Sequence, residues 1–235
     1  MAAELERRGA VALLAESVST DGSGLRCAVT ASQSRVQLQL PLIGEFNVDN
    51  ALTVLGMLLA LGVPLAQGVE ALSRCGAPPG RMETFGGDGT PLVIVDYAHT
   101  PDARAKALRA ARAHCPGTLR AVFGCGGDRD RGKRPQMAQA AAELADDIVL
   151  TDDNPRSESP QRIVADIAAG MPVGRSFVTV HDRARAIRET VRRSGAGDVV
   201  LVAGKGHEDY QIYGDDRRPF SDPLAVREAL GGMRS

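Results

Sequence analysis

Four short stretches of the chain concentrate glycine, charge and histidine in ways that could do chemistry. They are Asp96-Tyr97-Ala98-His99, Gly124–Arg134 (GCGGDRDRGKR), Asp152–Pro160 (DDNPRSESP) and Gly204–Tyr210 (GKGHEDY). Within the third, Asp153-Asn154-Pro155-Arg156 offers a carboxylate, an amide and a guanidinium on a segment stiffened by proline. A guanidinium fork takes a carboxylate through two parallel hydrogen bonds. A carboxylate such as Glu208 would hold an ammonium group. Together these suit an amino-acid zwitterion. The plainer reading is a helix N-terminus dressed with local salt bridges, and residue types alone leave both open.

Three other chemistries are excluded. Gly127–Lys133 has GxxxxGK spacing, but Arg134 stands where a phosphate-binding loop needs Ser or Thr for magnesium, and two Asp in the loop would repel phosphate. His207-Glu208-Asp209-Tyr210-Gln211 lacks the second histidine of HExxH, and His99, His114, His181 and His207 show no ligand spacing, so no zinc site is expected. GCGGDR follows the second strand of its region and has the wrong spacing for a GxGxxG dinucleotide fingerprint.

The elements that would position the four stretches alternate. Strands are expected at Leu92–Asp96, Leu119–Phe123, Ile148–Thr151, Phe177–Val180 and Val199–Ala203, all short apolar runs of the kind found in buried parallel strands. Amphipathic helices are expected between them, at Asp102–His114, Pro135–Ala145, Pro160–Ala169 and Asp182–Ser194. This alternation predicts an open, doubly wound α/β sheet. The polar stretches then fall after strand ends, where such sheets bind ligands. A hairpin, Tyr210–Tyr213 with Arg217–Phe220, and a last helix capped by Asp222-Pro223 complete the region.

Ahead of it, Leu25–Thr30 and Val36–Leu40 read as a hairpin, residues 46–62 as a helix stopped by Gly62 and Pro64, and Ala66–Ser73 as a second helix. The apolar residues of the opening segment have no evident partner. The Pro/Gly break at Gly76–Gly80 marks a domain boundary, dividing the chain into 1–79 and 80–235.

Composition sets outer limits. A chain of 235 residues, 43% hydrophobic and 24% charged, can build a real core. A net charge of -1, no Trp and 3% aromatics argue against nucleic acid or a membrane surface as partner. Cys27, Cys75, Cys115 and Cys125 form no CxxC pair and are expected reduced, in a cytoplasmic protein. Neither a signal peptide nor an apolar run of about 18 residues is present in the sequence.

Six segments resemble the Mur ligase family: GEFNVDNALTVLGMLLALG, PPGRMETF, VDYAHTPDA, VFGCGGDRDRGKRPQMA, TDDNPRSESP and VLVAGKGHEDYQ. The resemblance runs from about residue 25 to the end. DYAHTP and the FNxxN segment are shared across several Mur and folylpolyglutamate ligases. DNPR together with GKGHEDYQ is similar to the branch that adds meso-diaminopimelate, whereas lysine-adding relatives carry other residues there. The resemblance implies a Rossmann-like, mostly parallel α/β domain over 80–235, the Mur ligase C-terminal amino-acid-binding domain. Residues 1–79 would be a remnant of the central ATPase domain.

Site residues follow from the same resemblance. Arg129, Asp153, Asn154, Pro155, Arg156, Gly204 and Glu208 match positions that hold meso-diaminopimelate. Arg156 would fork a carboxylate with help from Arg129, and Asp153 and Glu208 would hold an ammonium. Arg81, Asp96, His99, Asn47 and Asn50 match nucleotide-binding positions. Asp96 would accept from ribose hydroxyls, Arg81 would face phosphates, and the two asparagines would lie near the adenine. Residue-level alternatives are that Asn47 caps its helix and that Asp96 satisfies local amides. Lys205 and His207 receive no role.

The implied reaction uses ATP and Mg2+ to phosphorylate the D-glutamate γ-carboxylate of UDP-N-acetylmuramoyl-L-alanyl-D-glutamate, which the diaminopimelate amine then attacks, a step of peptidoglycan synthesis. The sequence departs from the family in having no GTNGKT-type loop, no lysine of the kind that becomes carbamylated beside magnesium, and no UDP-binding domain. No catalytic residue or metal ligand is therefore assigned, and the chain is expected to be inactive alone. The alternatives are a non-catalytic module binding diaminopimelate or a nucleotide, and a folylpolyglutamate-type ligase.

Overall fold

The structure, a computed structural model, describes residues 12–21, 24–31 and 34–233. These residues form two compact units, one reaching to Ala77 and one starting at Pro78.

In the first unit, β1 (Leu13–Asp21), β2 (Gly24–Ala31) and β3 (Ser34–Leu40) form an antiparallel sheet in that order. β2 and β3 are the expected hairpin. β1 gives the opening apolar residues the partner that sequence reading did not find. Period-two alternation turns Leu25, Cys27 and Val29 of β2 and Leu38 and Leu40 of β3 inward. They pack against Val48, Ala51 and Leu55 of α1 (Phe46–Ala60) and Val69 and Leu72 of α2 (Leu65–Ser73). Gly62, at φ +82°, ends the α1 segment as its position predicts.

The second unit is built on a six-stranded sheet in the order β4-β5-β9-β6-β7-β8. Its strands are β4 (Glu83–Gly86), β5 (Leu92–Asp96), β6 (Leu119–Phe123), β7 (Asp147–Leu150), β8 (Val178–Thr179) and β9 (Val199–Ala203). All neighbours run parallel except β4, which pairs antiparallel with β5 at one edge. Val93, Val95, Val122, Val149, Val200 and Val202 face one way, onto Ala186, Ile187 and Val191 of α6 (Arg183–Arg192) and Val226, Ala229 and Leu230 of α7 (Asp222–Gly231). The intervening strand residues turn to the other face. There α3 (Pro101–Arg112) lies against β6 and β9 and beside α4 (Lys133–Leu144), which packs on α5 (Pro160–Ala168). Helices thus cover both faces, as the continuous Val/Ile strands require. Because β9 returns to lie between β5 and β6, the winding reverses at these strands, and their carboxyl ends bound the crevice such sheets offer to ligands.

The structure corrects several local expectations. β4 was not foreseen. β8 shrinks from the expected Phe177–Val180 to two exposed residues, because the outer edge offers a partner on one side only. The late hairpin is β10 (Tyr210–Tyr213) with β11 (Asp216–Pro219), turning at Gly214-Asp215 and forming a separate two-stranded sheet. Asp222 does not cap α7. Ser221 does, its Oγ accepting from the Leu224 amide at 3.5 Å. Asp222 is instead wholly buried and takes the Arg183 guanidinium on both oxygens, Nε and Nη2 each at 2.7 Å. Arg183 also donates to the carbonyls of Ala203 (3.1 Å) and Asp152 (3.4 Å), so the pair sits beneath the starts of two of the polar loops.

Removing one partner of a buried pair strands the other charge, at a cost of about 3–5 kcal/mol. Asp222→Ala is therefore expected to lower the unfolding free energy of the second unit by that amount. Urea denaturation followed by tyrosine fluorescence reads this unit alone, because Tyr97, Tyr210 and Tyr213 are the chain's 3 tyrosines. An Arg183→Met/Asp222→Leu double variant should recover most of the loss.

Candidate functional site

The four polar loops leave the carboxyl ends of β5, β6, β7 and β9 and meet around one cleft of about 240 Å³. The first loop contributes Tyr97 and His99. The second contributes Gly124-Cys125-Gly126 and the charged run Arg129, Asp130, Lys133 and Arg134, with Met137 of α4 behind. The third contributes Asp153, Asn154 and Arg156, and the fourth Gly204 and Glu208. Of the residues expected around an amino acid, Arg129, Asp153, Asn154, Arg156, Gly204 and Glu208 therefore share one cavity. Pro155 is not among its lining residues; its carbonyl lies so close to Gly127 that any β-carbon there would overlap it.

Two of the loops are laced together. Arg134, the residue that argued against a phosphate loop, is buried and grips Glu158 through Nη1 (3.0 Å) and Nη2 (2.8 Å), Asp166 (2.8 Å) and the Gly126 carbonyl (3.1 Å). Glu158 also accepts from the Asp128 amide at 2.7 Å, and Asp128 in turn accepts from the Ser157 hydroxyl at 2.6 Å. The Gly127 amide donates to the Asn154 carbonyl at 2.9 Å. The Arg134 hydrogen bonds, with the Asp128 amide, hold the Glu158 carboxyl well below its ordinary value, at about 2.

The Asp153–Arg156 segment is held from its other side by the β10–β11 hairpin. Arg156 adopts φ +53°, a left-handed conformation unusual for a side chain of this size. It is fixed there by its amide donating to Ile212 O (3.0 Å) and its carbonyl accepting from Gly214 (2.7 Å). Its Nη1 is tethered to the Gly127 carbonyl at 2.8 Å. Gln211 Nε2 donates to the carbonyls of Asp152 (3.2 Å) and Asp153 (3.0 Å). Asp152 itself points to the far side, where it accepts from Tyr213 Oη (3.1 Å) and contacts His181 Nδ1 (2.8 Å). Gly204 stands at φ +121°, and a β-carbon there would lie 2.5 Å from Asp153 Oδ2. Only glycine lets the third and fourth loops approach this closely.

Lys205, given no role by the sequence, is fully buried beside the cleft wall. Its Nζ lies 3.1 Å from Asn154 Oδ1, 3.2 Å from Glu208 Oε2 and 3.7 Å from Asp153 Oδ1. Asn154 Nδ2 also donates to Glu208 Oε2, at 2.9 Å. The ammonium thus ties together the acidic wall of the cavity.

The residues expected on a nucleotide side divide. His99 lines the cleft. Its ring stacks edge-on against Tyr97 at 4.7 Å, His207 lies 5.6 Å from the same ring, and the Arg81 guanidinium covers it at 4.6 Å. Two histidines far apart in sequence therefore flank one tyrosine. Asp96 accepts from the amides of Met82 (2.9 Å) and Ala98 (2.8 Å), and burial pushes its carboxyl up. Asn47 and Asn50 lie on α1 in the first unit. Asn47 does not cap that helix, whose N-cap is Glu45; it donates to Ile43 O at 2.8 Å and accepts from Asn50 at 3.0 Å. Among the described residues no three His, Cys, Asp or Glu side chains gather as a metal site, and no helix is long and apolar enough to cross a membrane. The four cysteines are free thiols.

A mostly parallel sheet whose strand-end loops frame a cleft with cationic and acidic walls defines a doubly wound α/β domain, and comparison with known proteins places it. Residues 80–206 match the Mur ligase, glutamate ligase domain, and the chain belongs to the Mur ligase family. A relative from Alkalilimnicola ehrlichii, named UDP-N-acetylmuramoyl-L-alanyl-D-glutamate–2,6-diaminopimelate ligase, is 55% identical over 216 residues. One of the same name from Vibrio vulnificus is 48% identical over 220 residues. These matches take in 92% and 94% of this chain but only 43% and 45% of the relatives, so the chain spans less than half their length. A solved structure of a ligase with that name superposes with a TM-score of 0.74 at 39% identity, covering 95% of this chain and 46% of the other.

Because the folded-state pKa of Glu158 is depressed, its pairing contributes stability above the ordinary carboxyl value of 4.5, and that contribution fades as pH falls toward about 2. Glu158→Gln should lower stability at neutral pH and flatten the acid-side loss between those values. Urea midpoints measured at stepped pH check both effects.

Proposed function

We propose that this chain is the amino-acid-binding part of an ATP-dependent ligase that adds meso-diaminopimelate to UDP-N-acetylmuramoyl-L-alanyl-D-glutamate in peptidoglycan synthesis. The observation that carries the reading is the meeting of Arg129 and Arg156 with Asp153 and Glu208 around one cavity. Guanidinium groups suit a carboxylate and the acidic wall suits an ammonium, so a zwitterionic amino-acid centre fits the pairing. The rest of a diaminopimelate would reach out of the cleft with its second amine, the group that forms the new amide. The names of the relatives agree with this reading.

Arg156 would fork the carboxylate of the bound centre, and Arg129 would reinforce it. Asp153 and Glu208, set by Asn154, Pro155 and Gly204, would hold the ammonium. Lysine has no carboxylate at that end, so Arg156 would lose its partner in a desolvated site, which is how polar pockets reject ligands missing one group.

ATP fits the edge formed by Arg81, Tyr97 and His99, which offers a cation and aromatic faces. Asp96 already accepts from the backbone amides of Met82, Ala98 and Tyr97, and a ribose hydroxyl would add a further donor to the same carboxylate. On the first unit, Asn47 and Asn50 would serve nucleotide binding. Mg2+ finds no ligand set among the described residues. On this reading residues 1–79 belong to the nucleotide-handling domain of the ligase and 80–235 to its amino-acid domain. The setting is the cytoplasm, where ATP and UDP-linked precursors are available. The partners are small molecules rather than nucleic acid or membrane.

Titration of the chain with meso-diaminopimelate and with L-lysine, followed by amide NMR, tests the reading. Shifts confined to the four loops should appear with meso-diaminopimelate and not with lysine. Arg156→Ala should weaken binding by roughly 10- to 100-fold, the worth of about 1.5–3 kcal/mol for a charged hydrogen bond. Equal responses to both ligands would contradict it.

A further inference from the structure

We propose that Lys205 determines specificity from beneath the cavity: its buried ammonium sets the charge of the Asp153–Glu208 pair so that the cleft accepts a zwitterionic centre rather than a bare cation. This rests on the proposed amino-acid site and extends it to a residue that is not among those lining the cleft.

The argument begins with burial. Asp153 and Glu208 line the cleft with side chains 11% and 20% exposed, while Lys205 is at 0%. Both carboxylates reach the same buried ammonium from the cleft wall. Lys205 Nζ, 3.2 Å from one and 3.7 Å from the other, balances one of the two charges. Its contact with Asn154 Oδ1 at 3.1 Å fixes the ammonium in place and sets the amide so that Nδ2 faces Glu208.

Within the Asp153–Lys205–Glu208 trio a single negative charge then remains for a ligand. One ammonium neutralises it, and the carboxylate on the same carbon is free to meet Arg156. If Lys205 were neutral, the trio would carry two negative charges. A ligand bringing only positive charge would then gain, and one bringing a carboxylate as well would lose. Lys205 therefore acts through the two acids, as a positioning and charge-setting group rather than a contact.

The test compares the whole chain, Lys205→Met, Lys205→Gln and Lys205→Arg by calorimetric titration with meso-diaminopimelate and with cadaverine, a diamine without carboxylates. The wild-type chain should favour meso-diaminopimelate. Lys205→Met should bind it roughly tenfold or more weakly and bind cadaverine roughly tenfold or more tightly, the size of one charged contact. Lys205→Gln removes the charge but keeps a hydrogen-bonding side chain and should shift the preference as Lys205→Met does, whereas Lys205→Arg keeps the charge and should keep the wild-type preference. Tyrosine fluorescence and circular dichroism confirm folding. A folded Lys205→Met chain with an unchanged ratio of the two affinities, or one that loses both ligands equally, overturns the proposal. Should Lys205→Met fail to fold, Lys205→Gln decides: a preference shifted toward cadaverine supports charge-setting, and wild-type preference refutes it. A wild-type chain that ignores meso-diaminopimelate counts against the proposed function, whereas the cadaverine arm reads the charge of the acidic wall independently.

Discussion

The site stands on a guanidinium that meets almost no water. Arg183 is held on both carboxylate oxygens of Asp222, and its remaining reach goes to the carbonyls of Asp152 and Ala203. Those carbonyls belong to the points where β7 and β9 give way to loops. A buried ion pair adds little net stability against an apolar pair of the same size, so its value here is geometric. It fixes the heights from which two loops depart, and the distance between Asp153 and Gly204 follows from that. With Gly204 at φ +121° and no room for a β-carbon, small errors in either loop would close the gap between them.

From that base, the cleft is assembled from pairs that cross between loops. Arg134 and Glu158 join the second loop to the third, Gln211 and Ile212 join the hairpin to the third, and Lys205 joins the fourth to the third. The third loop is the member common to all of these, and its Asp153–Arg156 segment takes the contacts from the hairpin and from Lys205. Its backbone is satisfied on both sides, which lets a left-handed arginine persist at a cost of order 1–3 kcal/mol. The proposed function relies on these tethers: a fork and an acidic wall would discriminate between ligands only if neither can relax toward a poorer match.

How much of this the sequence revealed depended on the range of the interaction. The strands of the parallel sheet were readable because their apolar runs are buried on both faces, and the loops because glycine and charge gather at the strand ends. The residues expected around an amino acid mostly share the cleft, since a motif keeps its members within a few positions. Long-range pairings carried no such signal. Asp222 looked like a helix cap because aspartate before proline at a helix start usually is one, and only the fold shows Arg183, 39 positions away, reaching it. Lys205 looked roleless because two of its three partners, Asp153 and Asn154, lie a loop away. β1 and β4 were missed because an edge strand is defined by a neighbour, not by its own pattern. His99 and His207 seemed unrelated until Tyr97 came between them.

The hairpin that grips the Asp153–Arg156 segment is a sheet of its own, outside the hydrogen-bonded lattice of the six strands. Inheritance of the fold and inheritance of ligand preference are thereby separable. Substitutions along β10 and β11 can tilt or lengthen a ribbon at the periphery, and so reshape the mouth of the cleft, without disturbing a single valine of the core. On the proposed reading, editing one short ribbon and the segment it holds would change which amino acid fits, while the scaffold keeps its packing.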